Sequence, residues 1–389
     1  MVTQALNRQS GQKKLVETAI VIGSVLVLIV IVPLFLSDFR LNLLGRFLSL
    51  AIVALGIDLI WGFTGLLSLG HGIFFALGGY ALAMYLQLQL PDGQLPEFFS
   101  LYGVSELPWF WQPFYNFPFT LIAIVLIPGV VAAVLGYLVF RNRIRGVYFS
   151  ILTQAALIVF FNFFNGQQKL INGTNGLKTS TSILFGQKVG DQKTQFLFYC
   201  LTVIFLALTY LLCRWLTSGR FGNLLVAIRD DESRVRFSGY NPTPFKVFVF
   251  GLSGAIAGIA GAFYTIQSGI VSPQYMDISF SIEMVIWVAV GGRATLIGAI
   301  LGAVAVNYGR SLLSEKFPEI WLFFQGALFL IVVTVLPDGV VGWVRSEGMN
   351  QVRRLFGMSS PLATYPQIEF DEEIQQEREI LAEDPLQKE

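Results

Sequence analysis

Along the chain, long runs of apolar residues alternate with short polar loops. The runs fall at about residues 19–36, 43–62, 66–86, 119–140, 147–164, 194–216, 245–266, 281–292, 294–309 and 320–338. Most approach the roughly 20 apolar residues needed to cross a hydrocarbon layer. They are continuously apolar rather than alternating, which argues against a β-barrel. The pattern predicts an all-α, polytopic transmembrane bundle of about ten spans. Two regions are broken by glycine, GFTGLLSLGHGIFFALGGY at 62–80 and VGGRATLIGAILGAVAVNYG at 290–309. Such interruptions free backbone groups that can line a polar route, or let helices approach closely. The two readings stand equal for these regions. For the seventh span, with Gly251, Gly254, Gly258 and Gly261, close packing is favoured.

Composition supports a membrane class. The 389 residues are 54% hydrophobic and only 13% charged, against about a quarter charged in soluble domains. Arg8, Lys13 and Lys14 precede the first run, which is longer than a signal-peptide core and lacks a cleavage pattern. It reads as a retained helix. Positive charges at the N-terminus, at Arg141, Arg143 and Arg145, in the 218–242 loop, and at Arg345, Arg353 and Arg354 lie on one side when ten spans are counted. The positive-inside rule makes that side cytoplasmic and places both termini there. The loop 87–118 carries Asp92, Glu97 and Glu106 and no Lys or Arg, as an outer loop should. The loop 165–193 has four lysines against the trend, and stays outside by parity.

Three domains are expected: a cytoplasmic segment 1–18, a membrane domain 19–340, and an acidic tail 341–389. From 361 onward nine acids face only Arg378 and Lys388. Too few apolar residues are present there for a core, so the tail reads as disordered or as a partner-dependent helix.

The segment 218–242 stands out. Phe221, Leu224, Leu225 and Ile228 recur at helical spacing and form one apolar face. Ala227, Arg229, Asp230, Asp231 and Glu232 follow or intervene, and Glu232 pairs at i,i+4 with Arg236. Gly239 and Asn241-Pro242 stop the helix. A short two-faced helix between two spans is expected to seat in a groove of a soluble partner, with the contact at residues 227–232.

Enzymatic chemistry is not evident. His71 is the single histidine, and the cysteines Cys200 and Cys213 fall in one span about 20 Å apart on a helix, so they cannot pair. No P-loop, H-E-x-x-H or G-x-S-x-G motif occurs. No catalytic residue and no metal site is assigned, and no nucleic-acid partner is expected. Candidate pathway residues are Asp58, Thr64, Ser68 and His71 in the first broken region, with Gly291 and Gly292 in the second. Asp58 and His71 read as polar lining for a neutral solute, or else Asp58 pairs with His71 across the turn at 62–65, or with a hydroxyl, and staples two helices. The staple is favoured, since polar contacts between membrane helices are common. Glu283, at a span end, is expected to be exposed.

The segment LGIDLIWGFTGLLSLGHGIFFALGGYALAMYL at 55–86 resembles the signature of the membrane subunits of branched-chain amino acid and urea ABC importers. AIRDDESRVRFSGYNPTPFK within 219–264 is similar to their coupling loop and following glycine-rich helix. ELPWFW, RIRGVYFSILTQA, TNGL, IEMVIWVAVGGRATLIGAILGA, FPEIWLFFQG and LPDGVVG resemble the urea-type member, the larger of its two permeases. Asp58 departs from the neutral amide of many amino-acid-type relatives, which bears on the substrate. The resemblance, which covers about 43–342, implies a second homologous permease, two cytoplasmic ATPase subunits that bind ATP and Mg, and a periplasmic solute-binding protein. It implies residence in a bacterial inner membrane, with no cofactor held by this chain.

Overall fold

The computed structural model describes residues 17–90, 94–144 and 146–317, with 319–320, 323–324, 326–327, 330, 334 and 339–343. The expected N-terminal segment lies almost wholly outside the described residues, as does the acidic tail beyond Trp343. Met1–Gly342 forms one compact unit; of the second, Trp343–Glu389, only Trp343 is described.

Eight helices among the described residues are long and apolar enough to cross a membrane. They are α1 (Glu17–Phe35), α2 (Asp38–Thr64), α3 (His71–Leu88), α4 (Phe117–Arg141), α5 (Val147–Gly166), α6 (Gln192–Thr217), α8 (Pro242–Ser268) and α10 (Leu296–Lys316). Between α6 and α8 lies the polar helix α7 (Arg220–Phe237). Before α10 lies the short apolar α9 (Ile278–Gly291). The fold is the expected polytopic helical bundle. The expected run 281–292 becomes a helix of 14 residues, about 21 Å long and short of the ~30 Å hydrocarbon core. The run 66–86 loses its first turn, since α3 starts only at His71. The tenth run, 320–338, falls mostly outside the described residues.

α2, α3 and α8 occupy the centre. α2 is buried along nearly its whole length from Phe47 to Ile60, as a helix apolar on every side should be. Lipid is as apolar as leucine, so helices in a membrane associate through close packing and polar contacts. The glycines of α8 serve this purpose. A Cβ on Gly254 would meet Ala132 at 2.5 Å, one on Gly258 would overlap Pro128, and one on Gly261 would overlap the Phe75 carbonyl. The packing reading of this span is what the structure shows. Pro128 of α4 thus fits where the neighbouring helix has no side chain.

α1 lies at the periphery, with Ile20, Leu34 and Phe35 exposed. It is held by the Tyr199 hydroxyl, which donates to the Leu28 carbonyl at 2.8 Å, and by an Arg214–Glu17 ion pair at 2.7 Å. A π-turn at Val27–Ile31 precedes Pro33, whose ring would otherwise clash with the carbonyl four residues back.

Two interruptions enter the bundle. Residues 65–70 are unwound after Gly65, which caps α2 at φ 73°. Their freed backbone groups find partners on α5: Thr153 Oγ1 accepts from the Leu69 amide at 3.0 Å, and Ser150 donates to the Leu67 carbonyl at 2.6 Å. This is the internal satisfaction that irregular backbone inside a membrane requires. The second interruption, residues 272–277, leads into α9. It reaches the start of α3, where the Gly72 amide donates to Ser281 Oγ at 3.2 Å and a Cβ on Gly72 would lie 2.5 Å from the Tyr275 carbonyl. The N-terminal ends of α3 and α9 therefore meet.

Candidate functional site

α7 is one helical element with a break inside it. Asp231 has φ −155° and ψ 95°, outside the helical region. Its Oδ1 accepts from the amides of Ser233 at 2.9 Å and Arg234 at 3.2 Å. Asp231 is thus the N-cap of a second short helix. The Arg234 amide leads the interactions that hold its carboxyl below the usual carboxylate range.

The face expected to dock on a partner is turned inward. Leu225, Ile228 and Val235 are buried and Leu224 is half-buried. Phe221 packs its ring against Phe245 and Phe248 of α8, at 6.1 and 5.8 Å. Glu232 bonds Arg236 at 2.8 Å, as its spacing predicts, and also Lys246 of α8 at 2.9 Å. Lys246 is 2% exposed and lies 4.9 Å from the Phe140 ring centre. Periodicity reveals that a helix has an apolar face; it does not reveal whose groove that face fills, and here the groove belongs to the same chain. The outward side carries Asn223, Ala227, Asp230, Arg234 and Phe237.

Arg229 joins α7 to the end of α2. Its Nη1 donates to the Gly62 carbonyl at 2.9 Å, and its Nε donates to Asp230 at 3.0 Å. The Gly62 carbonyl belongs to the last turn of α2, where carbonyls lack helical partners and cations are favoured.

Asp58 and His71 do not pair. Asp58 is fully buried, and its Oδ1 accepts from the Ala294 amide at 2.7 Å. His71 Nε2 lies 2.7 Å from Ser253 Oγ, which donates to the Gly56 carbonyl at 2.6 Å. The expected staple is replaced by two separate ones, α2 to the α9–α10 turn and α3 to α8 to α2. The unwound 65–70 segment sets His71 apart from Asp58. Thr64 donates to its own helix, to the Ile60 carbonyl at 2.5 Å, and Ser68 accepts from the Gly70 amide at 3.3 Å. A Cβ on Gly291 would overlap the Gly298 carbonyl, and one on Gly339 would overlap Gly292; the two candidate pathway glycines, Gly291 and Gly292, are thus closed against backbone. Glu283 is also unlike its expectation: it is buried in an ion pair with Arg310 of α10. A charge at a span end looks solvated in sequence when its partner lies on the next helix.

Several positions escaped the sequence reading. Ala294 is a non-glycine residue at φ 55° and carries no spacing signal. Lys246, a charge inside an apolar run, was a legible warning, and so was Arg46. Arg46 Nε donates to Asn42 Oδ1 at 3.1 Å and to the Gln267 carbonyl at 3.0 Å. With Asn42, Gln195, Phe196 and Tyr199 it lines a cavity of about 650 Å³ at the opposite end of α2 from Arg229.

Residues 39–333 match the family described as "Branched-chain amino acid transport system / permease component". The chain is 24% identical to the high-affinity branched-chain amino acid transport system permease protein LivM of Salmonella typhimurium, covering 89% of this chain and 82% of that protein. It is 23% identical to the permease protein LivH of Escherichia coli over 75% of this chain and 91% of that one. It is 22% identical to the ribose import permease protein RbsC of Haemophilus influenzae over 88% and 98%. No solved structure matches.

Proposed function

Since the chain belongs to the branched-chain amino acid transport permease family, we propose that it is a permease subunit of an ATP-binding cassette importer that carries urea and short amides across a bacterial inner membrane. It pairs with a second, homologous permease. Two cytoplasmic ATPase subunits, holding ATP and Mg, drive it, and a periplasmic binding protein feeds it. Both termini lie in the cytoplasm.

The observation that carries this reading is α7. It is polar and exposed on one side, fixed to the bundle on the other by Glu232, Lys246 and Arg229, and follows a span with no intervening domain. A rigidly mounted surface transmits force from a partner to the bundle, and rocking of the bundle gives alternating access. The contact is assigned to Ala227, Asp230, Arg234 and Phe237, the exposed side, in place of the half-buried Phe221 and the buried Ile228 and Glu232.

Relatives of similar identity move different solutes by name, branched-chain amino acids in one case and ribose in another. Identity at this level therefore does not choose the solute. Urea rests on the strings ELPWFW, RIRGVYFSILTQA and LPDGVVG. The names of LivM and LivH favour a second reading, a branched-chain amino acid importer. Uptake of labelled urea, acetamide and leucine by the complete complex in vesicles, with and without Mg-ATP, separates the two. ATP-dependent urea uptake uncontested by leucine is expected; competition by leucine supports the second reading. Urea flux through this chain alone would make it a channel and overturn both.

A further inference from the structure

We propose that Asp58 and Gly62 form a link that carries displacement of α7 to the turn between α9 and α10, which makes them positioning residues for transport. The inference rests on the reading of α7 as the ATPase contact.

The link is continuous. Arg229 of α7 holds the Gly62 carbonyl at 2.9 Å. Four residues earlier on α2, and so on the same side of the helix, the Asp58 carboxylate holds the Ala294 amide at 2.7 Å. Gly62 lies between the two contacts. A Cβ there would lie 2.5 Å from the Ala294 nitrogen and would overlap Asp58 Oδ1. The turn thus rests directly on the bare backbone of Gly62. Arg293, in the same turn, places its guanidinium 4.9 Å from the ring centre of Trp61. Gly65 is approached less tightly, by the Arg229 side chain, where a Cβ would lie 2.9 Å from Cγ.

The turn is a defined object rather than a loose connection. Gly292 and Ala294 have φ of 117° and 55°, and Thr295 Oγ1 donates to the Gly292 carbonyl at 2.5 Å. α9 leads from this turn back to Ser281, which holds the Gly72 amide at the start of α3. Movement of the last turn of α2 therefore reaches both broken regions through hydrogen bonds between side chains and backbone.

The carboxylate acts here as a single acceptor. Oδ2 of Asp58 is buried with no hydrogen-bond partner among the described residues. An asparagine presents the same acceptor to Ala294, whereas alanine presents none. This separates a positional role from one that needs charge.

The test uses the complete complex in vesicles, with uptake and ATP hydrolysis measured on the same preparation. A merely structural role lowers the amount of assembled complex and both rates together. The link instead predicts a fall in solute moved per ATP hydrolysed, by about tenfold for Asp58→Ala, a size usual for loss of coupling between sites. Asp58→Asn should stay within about twofold of wild type. Arg229→Gln should lower the same ratio, and the double variant should be no worse than the worse single, since both cut one path. Normal coupling in Asp58→Ala, equal losses in the Asn and Ala variants, or multiplied losses in the double overturns the link. If Asp58→Ala does not assemble, the pair Arg229→Gln and Asp58→Asn decides: Arg229→Gln uncoupled with Asp58→Asn intact supports the link, and any other outcome overturns it. Wild-type uptake that ignores ATP overturns the reading of α7 and the link with it; an ATP-driven wild type with normal variants overturns the link alone.

Discussion

The inward face of α7 carries Leu225, Ile228, Glu232 and Val235, all buried against the same chain, whereas its outward face carries Ala227, Asp230, Arg234 and Phe237, all exposed. Phe237 is 92% exposed, an aromatic side chain turned almost wholly outward. Both faces belong to one helix of 18 residues, yet they obey different rules. The inward face is under the constraints of a core, where a missing partner leaves a buried charge. The outward face is free of those constraints. A helix can be amphipathic for its own fold and still present a contact surface on its polar side.

Substitutions on the two faces should therefore separate cleanly, and three would sharpen or break the contrast. Lys246→Met removes the α8 partner of Glu232 and leaves that carboxylate buried with Arg236. Loss of one partner of a buried pair is expected to cost about 3 kcal/mol, seen as a lowered Tm of the detergent-purified subunit; an unchanged Tm would mean that α7 is not anchored there. Asp231→Ala removes the cap of the second short helix and should lower Tm by less. Its carboxyl is held below the usual carboxylate range, so its contribution is fully present above the unfolded carboxylate pKa. It is lost as pH falls through the lower, folded value, and a melt series from neutral to acid pH should show variant and wild type converging only at the acid end. Phe237→Ala should change stability least, by under about 0.5 kcal/mol, while weakening retention of the ATPase subunits during purification. Full retention would remove Phe237 from the contact.

The same contrast marks what the sequence made legible. Local signals are legible: the apolar periodicity of α7, its stop at Gly239, the Glu232–Arg236 pair and the spacing of the α8 glycines depend on neighbours within a turn or two. The helical bundle was legible for the same reason, since an apolar run long enough to span needs no partner to be recognised. Contacts made far along the chain were not. Asp58 meets Ala294, His71 meets Ser253 and Glu283 meets Arg310, and no spacing rule joins such residues. The inward turn of the apolar face belongs to the same class, because Lys246 and Gly62 lie on other helices. The shortness of α9 was half visible, as an apolar run too brief to span.

The most direct measurement uses Ala227→Cys in a chain whose Cys200 and Cys213 are replaced by serine. An impermeant thiol reagent is applied to inside-out vesicles stripped of peripheral proteins, to the same vesicles after the ATPase subunits are restored, and to right-side-out vesicles. The account predicts labelling in the stripped inside-out vesicles, protection once the ATPase subunits are bound, and none from the outer side. Labelling from outside, or equal labelling with and without the ATPase subunits, would contradict it.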